Sequence, residues 1–171
     1  GGSNFSNWQR AVFNMYPGDV NYPNGCSGAT VLNTVEGSIY DGSSFMDYES
    51  NSSCTWLIQP SQNIDHLELS FDYLSTDPND IIIVYDGPNA SATVLDTLFG
   101  NTTPNKIISS GTSMYIKFIS DNTIEMDGFH ATYTSKFPIY CAGTTVLTDP
   151  SGTFDDGSTM NNYINNSFCK W

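Results

Sequence analysis

From residue 26 onward, apolar and polar positions alternate over short stretches. Leu67, Leu69, Phe71 and Tyr73 are separated by Glu68, Ser70 and Asp72, which gives a strand one buried face and one wet face. Met114, Ile116 and Phe118 alternate in the same way, and so do Phe129, Ala131 and Tyr133. Ile81 to Tyr85 is a near-continuous apolar run, the pattern of a central strand, and it stops at the turn residues Asp86-Gly87-Pro88-Asn89. Thr93 to Phe99 and Lys106 to Ser109 read as further short strands. Short strands with regular turns predict an all-β fold, an antiparallel β-sandwich. Ahead of them, Trp8, Val12, Met15 and Tyr16 share one face of a short predicted helix over 7–15, ended by Pro17-Gly18 and Pro23-Asn24-Gly25.

The chain also repeats itself. Cys26 to Trp56 returns as Cys141 to Trp171 at a constant offset of 115, without a gap. Asp41-Gly42-Ser43, Tyr48, Cys54 and Trp56 become Asp156-Gly157-Ser158, Tyr163, Cys169 and Trp171. A long internal repeat marks a recurring structural unit. The expected organisation is an N-terminal arm at 1–25, a complete domain at 26–135, a linker at 136–140 and the opening part of a second domain at 141–171. Most such arms pack on the neighbouring domain; docking to another subunit is the alternative. The partial copy, 31 residues long, is too small to bury its apolar face alone, and Trp171 is a core residue with nothing to cover it. Either the natural chain continues, or another chain supplies the missing strands. Head-to-tail completion of the second kind does not close and gives a homopolymer, a filament.

The four cysteines fall into two pairs with the same spacing of 28, which selects Cys26–Cys54 and Cys141–Cys169 as disulfides. A zinc site is the weaker alternative, because no short Cys-x-x-Cys is present and the histidines are only His66 and His130. Disulfides place the protein in an oxidising compartment, so an extracellular, secreted chain is expected. Asn4, Asn51, Asn89, Asn101 and Asn165 each open an Asn-x-Ser/Thr triplet, a candidate glycosylation site on a secreted surface. Neither a signal peptide nor a membrane-spanning run is read, and Gly1-Gly2 has the look of a mature or engineered start. Lys and Arg total five against 18 Asp and Glu, a net charge of −13, which disfavours nucleic acid and anionic membranes as partners and favours calcium or basic partners. The same charge also serves plain solubility.

The motif order resembles a CUB domain, the extracellular β-sandwich module of complement proteases, tolloid-like metalloproteinases and spermadhesins. The likeness is carried by Gly37-Ser-Ile39, Cys54-Thr-Trp56-Leu-Ile58-Gln-Pro60, Leu67-Glu-Leu69-Ser-Phe71 and Asp80-Ile-Ile82-Ile-Val84-Tyr-Asp86-Gly87. It continues through Met114-Tyr-Ile116-Lys-Phe118-Ile-Ser120-Asp121 and Gly128-Phe129-His-Ala131-Thr-Tyr133, so it runs through most of residues 26–134, and residues 141–171 match the start of the module again. The resemblance implies a CUB-like jelly roll. It departs from the family in lacking the second disulfide, between a residue just before Asp80 and one near Leu98-Phe99-Gly100, and Phe99 is expected to fill that place by packing. The loop from Phe71 to Asp80 is also shorter than usual.

Many CUB modules bind calcium at one end of the sandwich. The resemblance implies ligands at Asp77, Asp80, Asp121, Asn122 and Thr123, with a family tyrosine at Tyr48. Counting forward from Phe71 puts Asp77 at the acidic position, whereas counting back from Asp80 puts it at the missing cysteine. Calcium takes six to eight oxygen ligands on flexible loops, which suits such residues; aspartates that only shape turns are the alternative. In family members that use this site, a partner's Lys or Arg reaches the acidic loops, so the expected partner is an extracellular protein or glycan. No enzymatic activity is expected: Gly-x-Ser-x-Gly, a Walker loop and His-Glu-x-x-His are all lacking, and His66 and His130 read as ordinary strand residues.

Overall fold

A computed structural model describes residues 26–43, 47–138, 142–158, 163 and 167–171. The expected helix over 7–15 therefore lies outside the described residues, as do Asn4, Cys141 and Asn165. The chain divides into two compact units, with the boundary in sequence between Lys136 and Phe137.

The first unit is built from nine strands: β1 (Ser27–Leu32), β2 (Glu36–Tyr40), β3 (Ser53–Ile58), β4 (His66–Ser75), β5 (Ile81–Asp86), β6 (Thr93–Leu98), β7 (Ile107–Ile108), β8 (Met114–Ile119) and β9 (Gly128–Lys136). They form a five-stranded sheet in the order β1-β3-β8-β5-β6 and a four-stranded sheet in the order β2-β9-β4-β7. The alternating sequences become alternating burial. Leu67, Leu69, Met114, Ile116, Phe118, Phe129, Ala131 and Tyr133 are all buried, and their neighbours on the other face, Gly128 excepted, are not. Ile81–Asp86 is an inner strand between β8 and β6, as its apolar run requires.

The two sheets close on an aromatic chain. Phe118 of β8 and Trp56 of β3, in one sheet, meet Phe129 of β9, in the other, edge to face at 5.5 and 5.7 Å, and Tyr48 meets Phe118 at 5.2 Å. Edge-to-face rings add about 0.5–1.5 kcal/mol per pair beyond the area they bury.

All the pairings in these two sheets are antiparallel except one: the edge strand β1 runs parallel to β3. The reason is that β2, which lies between them in sequence, belongs to the other sheet, so the chain crosses over and returns in the same direction. Parallel register puts Gly28 beside Cys54 and brings Cys26 to 5.6 Å from Cys54 between Cα atoms, where the disulfide Cys26–Cys54 forms.

The second unit contains β10 (Ala142–Thr144) and β11 (Phe168–Lys170), again a parallel pair. Cys169 is in a disulfide.

Candidate functional site: an acidic loop cluster at one end of the sandwich

Strand register gathers three loops at one end. The start of β5 and the start of β3 both pair with the end of β8, through Ile81↔Ile119 and Ser53↔Ile119. The residues just before β5 (76–80), just before β3 (47–52) and just after β8 (120–127) are therefore neighbours.

Asp80, fully buried, is the centre of this cluster. Its Oδ2 accepts the Tyr48 hydroxyl at 2.6 Å and its Oδ1 accepts the Asp121 backbone N–H at 2.7 Å, so one carboxylate touches both other loops. Tyr48 is 1% exposed and also accepts the Asp77 N–H at 2.9 Å. Burial, and then the bond to Asp80, hold the Tyr48 phenol above its ordinary pKa, so it stays protonated and donates. Asp77 is buried beside them and its Oδ1 accepts both the N–H and the Nδ2 of Asn79. Asp121 is half-buried, and its Oδ1 accepts the N–H and hydroxyl of Thr123 at 2.7 and 2.8 Å. Asn122 and Thr123 are exposed. Of the expected ligands, Asp77, Asp80 and Asp121 are thus drawn into one network with Tyr48, while Asn122 and Thr123 stand on its rim.

The rim is acidic: Asp47, Glu49, Glu125 and Asp127 are exposed around it. Ser50 donates to Glu125, which holds that carboxyl below the usual range. Among them Ile124 stands 62% exposed with φ at 46°, a left-handed conformation that costs a β-branched residue strain.

The donor set can be tested against calcium. Its chemistry fits: two buried aspartates and a third half-buried one, with no ion pair to any of them among the described residues. Its spacing is open: among the described residues no three His, Cys, Asp or Glu side chains stand together closely enough to hold a metal ion.

Two features differ from expectation or were not read from the sequence. Phe99 does not fill the place of the missing second disulfide; it is 54% exposed. Its neighbours make the tie instead: Thr76 N–H donates to the Gly100 carbonyl at 2.8 Å and Gly100 N–H to Thr76 Oγ1 at 3.0 Å. Backbone groups need partners when loops pack together, and this reciprocal pair serves without a large side chain. The second feature is Asp41, 1% exposed, whose carboxylate accepts the N–H of Phe129 at 2.5 Å and of Ser43 at 2.7 Å. Burial outweighs these bonds and holds its pKa above the ordinary value. Its signal in the sequence was the recurrence of Asp-Gly-Ser at 156–158.

The remaining candidates are placed as follows. Asn51, Asn89 and Asn101 are exposed. His66 lies against Asp65 at 2.7 Å, and His130 against Asp72 at 2.6 Å. Among the described residues no helix is long and apolar enough to cross a membrane.

Fold and site together define a disulfide-closed β-sandwich module that presents acidic loops at one end. The model of the CUB domain matches residues 26–133, and the chain belongs to the CUB domain family, whose members are interaction modules of extracellular proteins. Among relatives, cubilin of Sus scrofa is 30% identical over 129 residues, covering 72% of this chain and 4% of cubilin. Exoskeleton protein RP43 of Riftia pachyptila is 40% identical over 106 residues, covering 62% of this chain and 24% of that protein. The chain thus spans only a small part of these relatives. Among solved structures, the calcium-bound CUB2 domain of MASP-1 superposes with a TM-score of 0.55 at 24% identity, covering 64% of this chain and 99% of that one. The CUB1-EGF-CUB2 segment of human MASP-1/3 gives 0.56 at 26% identity, covering 65% and 43%.

Proposed function

We propose that this chain is an extracellular binding module that takes a protein or glycan partner on its acidic loop end, with calcium ordering the loops. The observation that carries this reading is the bridging of three loops by the buried Asp80. Asp77, Asp80 and Asp121, with oxygens of Asn122 and Thr123, would hold the ion, which supplies the positive charge that two buried aspartates otherwise lack. The protein's own residues do the rest. Tyr48 fixes Asp80, Thr123 fixes Asp121, and the exposed acids at 47, 49, 125 and 127 attract the basic groups of a partner. A single rim ion pair is worth under about 1 kcal/mol, so binding depends on the loops being ordered beforehand. The exposed Ile124 offers an apolar contact within the same loop. The role is recognition, not catalysis.

The test is thermal melting with calcium and with EDTA, on wild type and on Asp80→Asn. Calcium is expected to raise the wild-type melting temperature and to leave the variant unmoved. A wild type indifferent to both additions would remove calcium from this reading.

A second reading has its own support: a structural subunit of a glycosylated filament or coat. The likeness to an exoskeleton protein points that way. Exposed Asn51, Asn89 and Asn101 leave room for glycans on the outside of such an assembly.

A further inference from the structure

The outer face of the five-stranded sheet is apolar, where a sheet face turned to water is ordinarily polar. Strand register lays Val31, Leu57, Tyr115, Tyr85 and Val94 in one row across all five strands. The two ends of the row stand in water, Val31 at 57% and Val94 at 49% exposure. Ile81 and Ile83 of β5 lie on the same face and are half-buried. An unbroken run such as Ile81–Tyr85 suits a strand covered on both faces, yet only Ile82 and Val84, on the inner face, are fully removed from water. No outward strand position of this sheet is Asp or Glu, in a chain of net charge −13. Its one charge is Lys117, set on the middle strand β8 between Thr55 and Ile83. Lys106 and Lys136 both pair with Glu68, whereas among the described residues Lys117 has no ion pair. A contiguous apolar patch of this kind marks an interaction surface.

We propose that this face docks the acidic loop end of a second copy of the chain; the inference rests on the binding-module reading above and names the partner. The face is complemented by an apolar projection with a carboxylate beside it. The loop after β8 supplies both in adjacent residues: Ile124, exposed and held in a left-handed conformation, and Glu125, also exposed. With Ile124 seated on the apolar row, Glu125 is the group that meets Lys117, and the exposed Glu49 and Asp127 add to the attraction. Packing this face on the same face of a second copy is disfavoured, because Lys117 lies on the middle strand and would meet its own counterpart. Five strands about 4.8 Å apart and six residues long offer about 400 Å². That is half of the roughly 800 Å² per partner in a standard interface, so self-association is weak and grows with concentration. Loop end against sheet face joins two different surfaces, so copies add in a row instead of closing as a pair.

The experiment is sedimentation velocity on the full chain with calcium present, across a range of protein concentrations and at two salt concentrations. Wild-type mass is expected to rise with protein concentration and to fall back when salt is added. Lys117→Glu and, separately, Glu125→Lys set like charges against each other and should each weaken association by about tenfold or more, with thermal melting as in wild type. Ile124→Asp, on an exposed loop, should weaken it as well without touching the sheet. Mixing Lys117→Glu with Glu125→Lys restores opposite charges at both kinds of contact, so the mixture should associate again where neither variant does alone. Wild type that stays monomeric at every concentration would overturn this inference and leave the binding-module reading to its own test, the melting with calcium and EDTA. Association that survives Lys117→Glu, or a mixture that stays monomeric, would also overturn the inference, since either result separates the sheet face from the acidic loops.

Discussion

The Tyr48 hydroxyl donates to Asp80 at 2.6 Å with both residues out of contact with water. This one bond joins the segment before β3 to the loop before β5, and the ring beneath it packs on Phe118 in the core. Replacing Tyr48 with Phe keeps the ring and removes the donor. A buried carboxylate left short of a partner costs about 1–3 kcal/mol or more. Urea unfolding of Tyr48→Phe should show a loss in that range, and equal midpoints for variant and wild type would mean that the bond contributes nothing net.

Calcium, if it binds at Asp77, Asp80 and Asp121, stabilises only the folded chain. At one hundred times its dissociation constant it adds about 2.7 kcal/mol. A melting temperature that rises by several degrees with calcium and returns with EDTA is the expected result. Asp121→Asn should weaken that response, whereas Asp96→Asn, a change on β6 away from the loop cluster, should leave it as in wild type.

Gly128 sits over Asp41 with φ at 81°, and a Cβ there would fall 1.7 Å from the Asp41 carboxylate. The left-handed backbone disfavours a side chain there and the buried acid would have to shift, so Gly128→Ala should destabilise by well over about 1 kcal/mol. Thermal melting measures it directly, and a variant as stable as wild type would mean that the Asp41–Phe129 contact is slack.

Asp41 also sets a pH dependence. Its folded-state pKa lies above the ordinary 3.8 because burial disfavours the charge. Between those two values the folded chain holds a proton that the unfolded chain has released, so the contribution of this residue to stability falls as pH rises through the interval. Glu68 works in the opposite sense: Lys106, at 2.8 Å, and then Lys136 hold its pKa below 4.5, so its contribution is lost as pH falls through that lower range. Unfolding midpoints from pH 3 to 7 should flatten in one direction for Asp41→Asn and in the other for Glu68→Gln.

The disulfide at the entrance to the sandwich closes a loop with a sequence separation of 28. Cys26→Ser with Cys54→Ser should cost about 3–4 kcal/mol, chiefly by freeing the unfolded chain. Comparing the variant with wild type in urea, both without reductant, checks the figure.

Period-two alternation and unbroken apolar runs are local properties, so the strands around Leu67, Ile116 and Ala131, and the inner strand around Ile82, were legible from the residues alone, and the repeat made the cysteine spacing and the restart at 141 legible with them. The sandwich follows, since strands with one apolar face must pair those faces. Which strands become neighbours is not local. The crossover that makes β1 parallel to β3, the shared end of β8 that draws Asp80 and Asp121 together, and the tie between Thr76 and Gly100 all arise from pairings between distant segments. So does the cover over Trp56, whose contact with Phe129 joins the two sheets, because burial needs a second surface that no single strand contains.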